Sequence, residues 1–113
     1  AATSYKLKQN KLLLANMDDQ KKLLENNLRL GIQNSLNNIE KAIEDLASHK
    51  ETMLQAEKAY EIVQKQYDLG MATWLDLSSA ELAMTGTKLT YYQSIYNYLA
   101  AHADLDAILG NNQ

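Results

Sequence analysis

The sequence predicts an all-α chain folded as one long antiparallel helical hairpin. The 113 residues include no Pro and only four Gly, and Leu, Ala, Lys, Glu, Gln and Asn dominate. Apolar residues recur at spacings of three and four over long stretches, which is the pattern of amphipathic helices. Residues typical of a turn separate two such stretches near Gly70. We therefore expect a helix over about residues 4–68, a turn over about 69–72 and a helix over about 73–109, in a single domain spanning 1–113.

The first predicted helix carries one apolar seam in its second half. At about 1.5 Å per residue a continuous helix here would be roughly 95 Å long, which suggests a coiled-coil assembly rather than an ordinary globular helix. The seam shifts near His49–Lys50, where the alternation of three and four is interrupted. Its members are Ile32, Leu36, Ile39, Ile43, Leu46, Met53, Ala56, Tyr60, Val63 and Tyr67.

Weak helix formers interrupt the first half of this helix. Asn26, Asn27 and Gly31 each cost a fraction of a kcal/mol to about 1 kcal/mol relative to Ala in a helix interior. A break near Gly31, folding the N-terminal third back into a three-helix bundle, is therefore the alternative to a straight helix.

The turn has the residues that stop one helix and start another. Gly70 suits the left-handed conformation that follows a helix end. Thr73 suits the N-cap of the next helix, and Asp76 three residues later completes a variant of the capping box. The link is short, which favours antiparallel neighbours.

The second helix is predicted to end at Gly110 and carries two apolar seams. A helix with two seams touches neighbours on two sides, whereas a simple hairpin needs only one. The first seam contains Leu75, Leu82, Leu89, Tyr92, Tyr96, Leu99 and Ala103. The second contains Leu77, Ala80, Met84, Tyr91, Ile95, Tyr98 and Leu105.

The helices differ in length, so part of the first has no partner within the hairpin. With the turn near residue 71, Leu109 would lie opposite about Asn34. The leucines of residues 1–33 would then form an exposed apolar stripe, which soluble proteins rarely tolerate. We expect this segment to meet another chain or another part of a larger protein, and the chain to self-associate through it.

Composition excludes several classes of function. The chain has no Cys, and its net charge of −3 argues against broad nucleic-acid binding. No run of 18 apolar residues exists, and the N-terminus lacks the shape of a signal peptide. His49 and His102 lie too far apart to share a metal, and no catalytic motif is present. We therefore predict no enzyme activity, no cofactor and no metal.

The second half of the chain resembles the C-terminal repeat of TolC-like outer-membrane efflux proteins. The matching stretch, residues 54–110, reads LQAEKAYEIVQKQYDLGMATWLDLSSAELAMTGTKLTYYQSIYNYLAAHADLDAILG. The family pattern places Tyr, Gly, Ser/Thr and Asp-Leu three residues apart, followed by Leu every seven and a final Leu-Gly. Its counterparts here are Tyr67, Gly70, Thr73, Asp76, Leu77, Leu75, Leu82, Leu89, Leu109 and Gly110.

The resemblance implies a passive exit duct in the Gram-negative cell envelope. Family members are homotrimers in which a β-barrel in the outer membrane continues as an α-helical tunnel into the periplasm. They export small molecules together with a periplasmic adaptor protein and an inner-membrane transporter. This chain would be one periplasmic hairpin of such a protein, in contact with the membrane only through the absent barrel.

The resemblance also assigns roles to the turn. Leu69, Gly70, Met71, Ala72 and Thr73 match the tip motif that adaptor hairpins contact. Tyr67 matches a residue that helps to hold the tip closed, and Asp76 matches an aspartate that faces the pore in some members. Two positions depart from the family pattern, since Ala72 replaces a basic gate residue and Ser79 replaces a second pore aspartate. For Asp76, helix capping alone is the competing interpretation.

Two other functions remain open from the sequence. The chain could be a coiled-coil scaffold, or the helical hairpin of a pump adaptor. The Gly-x-x-Thr-x-x-Asp turn favours the duct, and an adaptor hairpin would usually be flanked by lipoyl-like β segments.

Overall fold

The two predicted helices form the antiparallel hairpin that the sequence indicates. A computed structural model describes residues 1–110, and within them it contains helix α1 (Ala2–Asp68), helix α2 (Trp74–Leu109) and no strand. The molecule measures 102 × 23 × 17 Å, which is close to the length of α1 alone. The all-α, coiled-coil-like hairpin is confirmed, with helix ends within two residues of the predicted ones.

The predicted continuous first helix is confirmed and the alternative break near Gly31 does not occur, because α1 continues through Gly31 without interruption. Gly31 is where α1 first meets α2, since a Cβ built on it would lie 3.9 Å from Cδ1 of Ile108. The helix tolerates the poor helix propensity of Gly, which costs about 1 kcal/mol at most. The three-helix bundle is therefore excluded.

The register of the hairpin differs slightly from the predicted one. Ile108 lies against Gly31, about one helical turn from the predicted pairing of Leu109 with Asn34. Nearer the turn, Lys88 Nζ lies 3.7 Å from Glu57 Oε1. Every residue from 1 to 30 is exposed, and partial burial begins at Gly31. Residues 2–30 of α1 therefore extend beyond α2 and are called the overhang below.

The α1 face that contacts α2 has an uninterrupted heptad pattern. Its buried and half-buried residues alternate at spacings of three and four, so the predicted shift near His49–Lys50 is wrong. Leu36 and Ile43, which were assigned to this seam, are 52% and 49% exposed and lie beside it. Besides Gly31 and Glu57, the face contains Ile32, Ser35, Ile39, Ala42, Leu46, His49, Met53, Ala56, Tyr60 and Val63.

The α2 face that contacts α1 has the same pattern and confirms most of the second predicted seam. On both helices large side chains alternate with small ones. Counting from the contact of Gly31 with Ile108, large residues of one helix fall level with small residues of the other, Tyr98 near Ala42 and Leu46 near Ser94. This alternation allows close approach. The α2 residues are Leu77, Ala80, Met84, Thr87, Tyr91, Ser94, Tyr98, Ala101 and Leu105.

Candidate functional site

The turn begins with a Schellman motif at the end of α1. The Gly70 N–H donates to the Tyr67 carbonyl at 3.0 Å, and the Met71 N–H donates to the Gln66 carbonyl at 2.7 Å. These two bonds satisfy carbonyls that the helix end would leave free. Gly70 has φ +73°, a left-handed conformation that Gly adopts without a Cβ penalty. The predicted helix-stop role of Gly70 is confirmed.

The turn ends with a complete capping box. The Asp76 N–H donates to Thr73 Oγ1 at 3.1 Å, and the Thr73 N–H donates to Asp76 Oδ2 at 2.9 Å. The hydrogen bond from the Thr73 backbone, together with that from its hydroxyl, lowers the pKa of the Asp76 carboxyl. The predicted capping roles of Thr73 and Asp76 are therefore confirmed, and the carboxylate stays ionised and solvent-exposed at the tip.

The surface of the tip is largely apolar. Leu69 and Met71 are 75% and 74% exposed, whereas Ala72 is half-buried. Trp74 and Leu75 extend this surface, each 69% exposed. Trp74 was not among the predicted docking residues. Its position next to the turn gave the signal, because the only Trp of the chain directly follows the N-cap Thr73.

Both predicted gate residues lie at this end of the hairpin, one on each helix. Tyr67 is in the last turn of α1 and 40% exposed, and Asp76 is in the first turn of α2. The structure therefore brings together all the residues predicted to act at the tip. Their docking and gating roles stay predictions.

The back of α2 carries a second apolar stripe, called the outer stripe below. Leu82 lies two residues from both Ala80 and Met84, so at about 100° per residue it points away from α1. This arrangement repeats along the helix and corresponds to the first predicted seam. Its large members are Leu75 (69% exposed), Leu82 (75%), Leu89 (64%), Tyr92 (57%), Tyr96 (66%) and Leu99 (59%).

One broad side of the hairpin is polar. An open groove between the helices there is lined by both chain segments, and its polar residues include Asn38, Asp45, Thr90, Gln93 and Asn97. The opposite broad side contains the partly exposed Leu36 and Ile43. The hairpin thus has an apolar face on the back of α2, one polar broad side and one broad side with partly exposed apolar residues.

The histidines do not form a site. His49 is half-buried in the interface, and His102 Nδ1 lies 3.3 Å from Asp106 Oδ2 in a surface pair within α2. Residues 1–110 contain no group of three or more His, Cys, Asp or Glu arranged to hold a metal ion. Over the same residues, neither helix combines the length and apolarity needed to cross a membrane.

Comparison with known proteins adds no assignment. No protein-family model matches the chain, and no curated protein matches it.

Proposed function

We propose that this chain is a hairpin of the periplasmic tunnel wall in a TolC-like trimeric outer-membrane efflux duct. The duct is a passive exit for small molecules and works with an adaptor protein and an inner-membrane transporter. The observation that carries the proposal is the outer stripe of α2, which gives this helix two apolar faces on opposite sides.

A wall of helices requires two contact faces on each helix. In a hairpin alone, α2 needs only the face that packs on α1, and any other large apolar stripe is a liability. Six large apolar residues nevertheless follow heptad spacing on its back, each more than half exposed. Heptad spacing is what packing against another long helix requires. A neighbouring tunnel helix would cover this stripe.

The overhang supports the same architecture. It continues α1 beyond the end of α2 and exposes leucines along its whole length, Leu7 and Leu14 among them at 57% and 65%. A hairpin that acts alone has no use for an unpaired apolar helix. In a duct, other helices of the protomer would pack along it.

The polar broad side suits a water-filled passage. Asn38, Thr90, Gln93 and Asn97 offer neutral hydrogen-bonding groups, and Lys41 and Asp45 add one charge of each sign. Such a lining would let polar solutes pass without binding tightly. The apolar stripe and this polar side lie on different faces of the same hairpin.

The tip would be the closed, adaptor-docking end of the duct. The exposed Leu69, Met71 and Trp74 provide an apolar docking surface, and the Schellman motif and capping box hold it in one shape. Three copies of Asp76 around the trimer axis would form an acidic ring. Ala72 and Ser79 lack charges, so a salt-bridged latch at those positions has no partners.

The experiment compares two adjacent substitutions in the full-length duct protein. Leu82→Asp places a charge in the outer stripe, whereas Ala83→Asp places the same charge one residue away, outside the stripe. We expect Leu82→Asp to abolish trimers in crosslinking and to sensitise cells to exported toxic compounds. Ala83→Asp should retain both properties.

Intact trimers and normal resistance with Leu82→Asp would contradict the proposal. Equal loss with both variants would also count against it, because the defect would then not depend on the outer stripe.

A further inference from the structure

The overhang carries an apolar stripe with the same spacing as part of the outer stripe. Its members are Leu7, Leu14, Met17, Leu24 and Leu28, exposed by 57%, 65%, 56%, 68% and 49%. Each lies 75 positions before a counterpart on the back of α2. Those counterparts are Leu82, Leu89, Tyr92, Leu99 and Ala103.

The shared spacing lets the two stripes pack in parallel. Intervals of seven, three, seven and four residues occur in this order in both stripes. The first three intervals read the same in reverse, so the last interval and the charges described below set the direction. Two helices whose apolar residues repeat in step can pack side by side over their whole length. Within one chain, α1 and α2 run antiparallel, so the overhang can meet α2 in this orientation only in a second copy.

Charge favours the same pairing. Residues 1–31 contain six basic and three acidic side chains, whereas residues 70–113 contain one basic and four acidic. With the same offset of 75 positions, Lys6 falls level with Glu81 and Arg29 with Asp104. Lys21 falls level with Tyr96, and a lysine ammonium can form a cation–π interaction with a tyrosine ring.

The shape of the hairpin permits this pairing twice in one closed dimer. Two copies related by a two-fold axis across the molecule would abut at the free ends of their α2 helices, with their tips at opposite ends. Each overhang, about 43 Å long, would then lie along the partner's α2, about 54 Å long. Because Ile108 lies level with Gly31, the offset of 75 makes the last turns of the two α2 helices overlap by about 6 Å around the two-fold axis.

We propose that the 113-residue chain forms a two-fold symmetric dimer in which the overhang of each copy packs in parallel on the outer stripe of the other. The dimer covers the overhang and the outer stripe of both copies at once, because a two-fold axis makes every contact occur twice. It does not rest on the proposed duct, in which other helices would cover the same two surfaces.

Sedimentation tests the dimer. The wild-type chain should sediment at twice its mass of 12.7 kDa. Leu14→Asp should shift it to monomer. The hairpin should stay folded and helical by circular dichroism, because residue 14 makes no contact with α2. The matched control is Ile62→Asp, which introduces the same charge at a residue that is 51% exposed and outside both stripes. A monomeric wild type, or equal effects of the two variants, would overturn the proposal.

Cysteine crosslinking tests the arrangement, since the chain has no native Cys. In mixtures of single variants, Leu14→Cys should form a disulfide with Leu89→Cys much faster than with Leu75→Cys, which is displaced by about 21 Å along the helix. Met71→Cys should not crosslink to itself, because the tips lie at opposite ends. Efficient Met71 crosslinks would instead indicate parallel hairpins, and equal rates for Leu89→Cys and Leu75→Cys would exclude the inferred register.

Discussion

At the scale of single residues, the shape of the tip is set by three residues that act on their near neighbours. Gly70, Thr73 and Asp76 each make hydrogen bonds within five residues of sequence. Such interactions depend little on the rest of the fold, which is why the sequence predicted all three roles.

Replacing Gly70 should destabilise the turn. Gly70→Ala places a Cβ on a residue with φ +73°, and an L-residue in this conformation costs about 1–2 kcal/mol. Because no atom lies within 4 Å of that Cβ, conformational strain and not collision causes the loss. Urea unfolding followed by circular dichroism measures it. An unchanged free energy of unfolding would show that the turn relaxes to another conformation.

The capping box should make stability depend on pH. Because the pKa of the Asp76 carboxyl is lowered in the folded chain, its contribution is present above the ordinary value of 3.8 and is lost as the pH falls through the lowered pKa. Between pH 7 and about pH 2.5 the wild type should therefore lose more stability than Asp76→Asn, which has no carboxylate to protonate.

Thermal unfolding of both proteins across this pH range is the measurement. Glu51→Gln, which removes an exposed acidic group of α1 far from the capping box, is the control and should follow the wild type. Identical pH profiles for the wild type and Asp76→Asn would show that the hydrogen bonds to Thr73 do not stabilise the fold.

At the scale of the helices, the sequence predicted most of the interface but missed three residues of α1. Ser35, Ala42 and His49 are small or polar, so the α1 seam seemed to pass through Leu36 and Ile43 and then to shift. Ser35 and Ala42 are buried and His49 is half-buried because each falls near a large residue of α2, and this depends on how the two helices pack.

Gly86 offers a test of helix propensity in α2. It lies in the helix interior, and a Cβ built on it would meet nothing within 4 Å. Gly86→Ala should therefore stabilise the chain by about 0.5–1 kcal/mol, because Ala loses less backbone entropy in a helix than Gly does. A rise in Tm by circular dichroism is expected, opposite in sign to the effect of Gly70→Ala. A fall in Tm would indicate that this face of α2 packs against another chain.

At the scale of the whole molecule, the hairpin has little buried core and exposes most of its large apolar residues. Of the apolar residues that the structure describes, only Ala42 and Met53 are buried, whereas the overhang and the outer stripe remain exposed. The sequence predicted both exposed surfaces, because unequal helix lengths and a second seam are visible in the residue pattern. It could not specify their partners, since these contacts are made outside the hairpin.

The conductance of the full-length protein in planar lipid bilayers tests the proposed duct most directly. The account predicts discrete channels that multivalent cations block, and block that Asp76→Ala weakens while Glu51→Ala, far from the tip, leaves it unchanged. Absence of channels would contradict the duct, and channels whose block is the same in the wild type and Asp76→Ala would contradict an acidic ring at its tip.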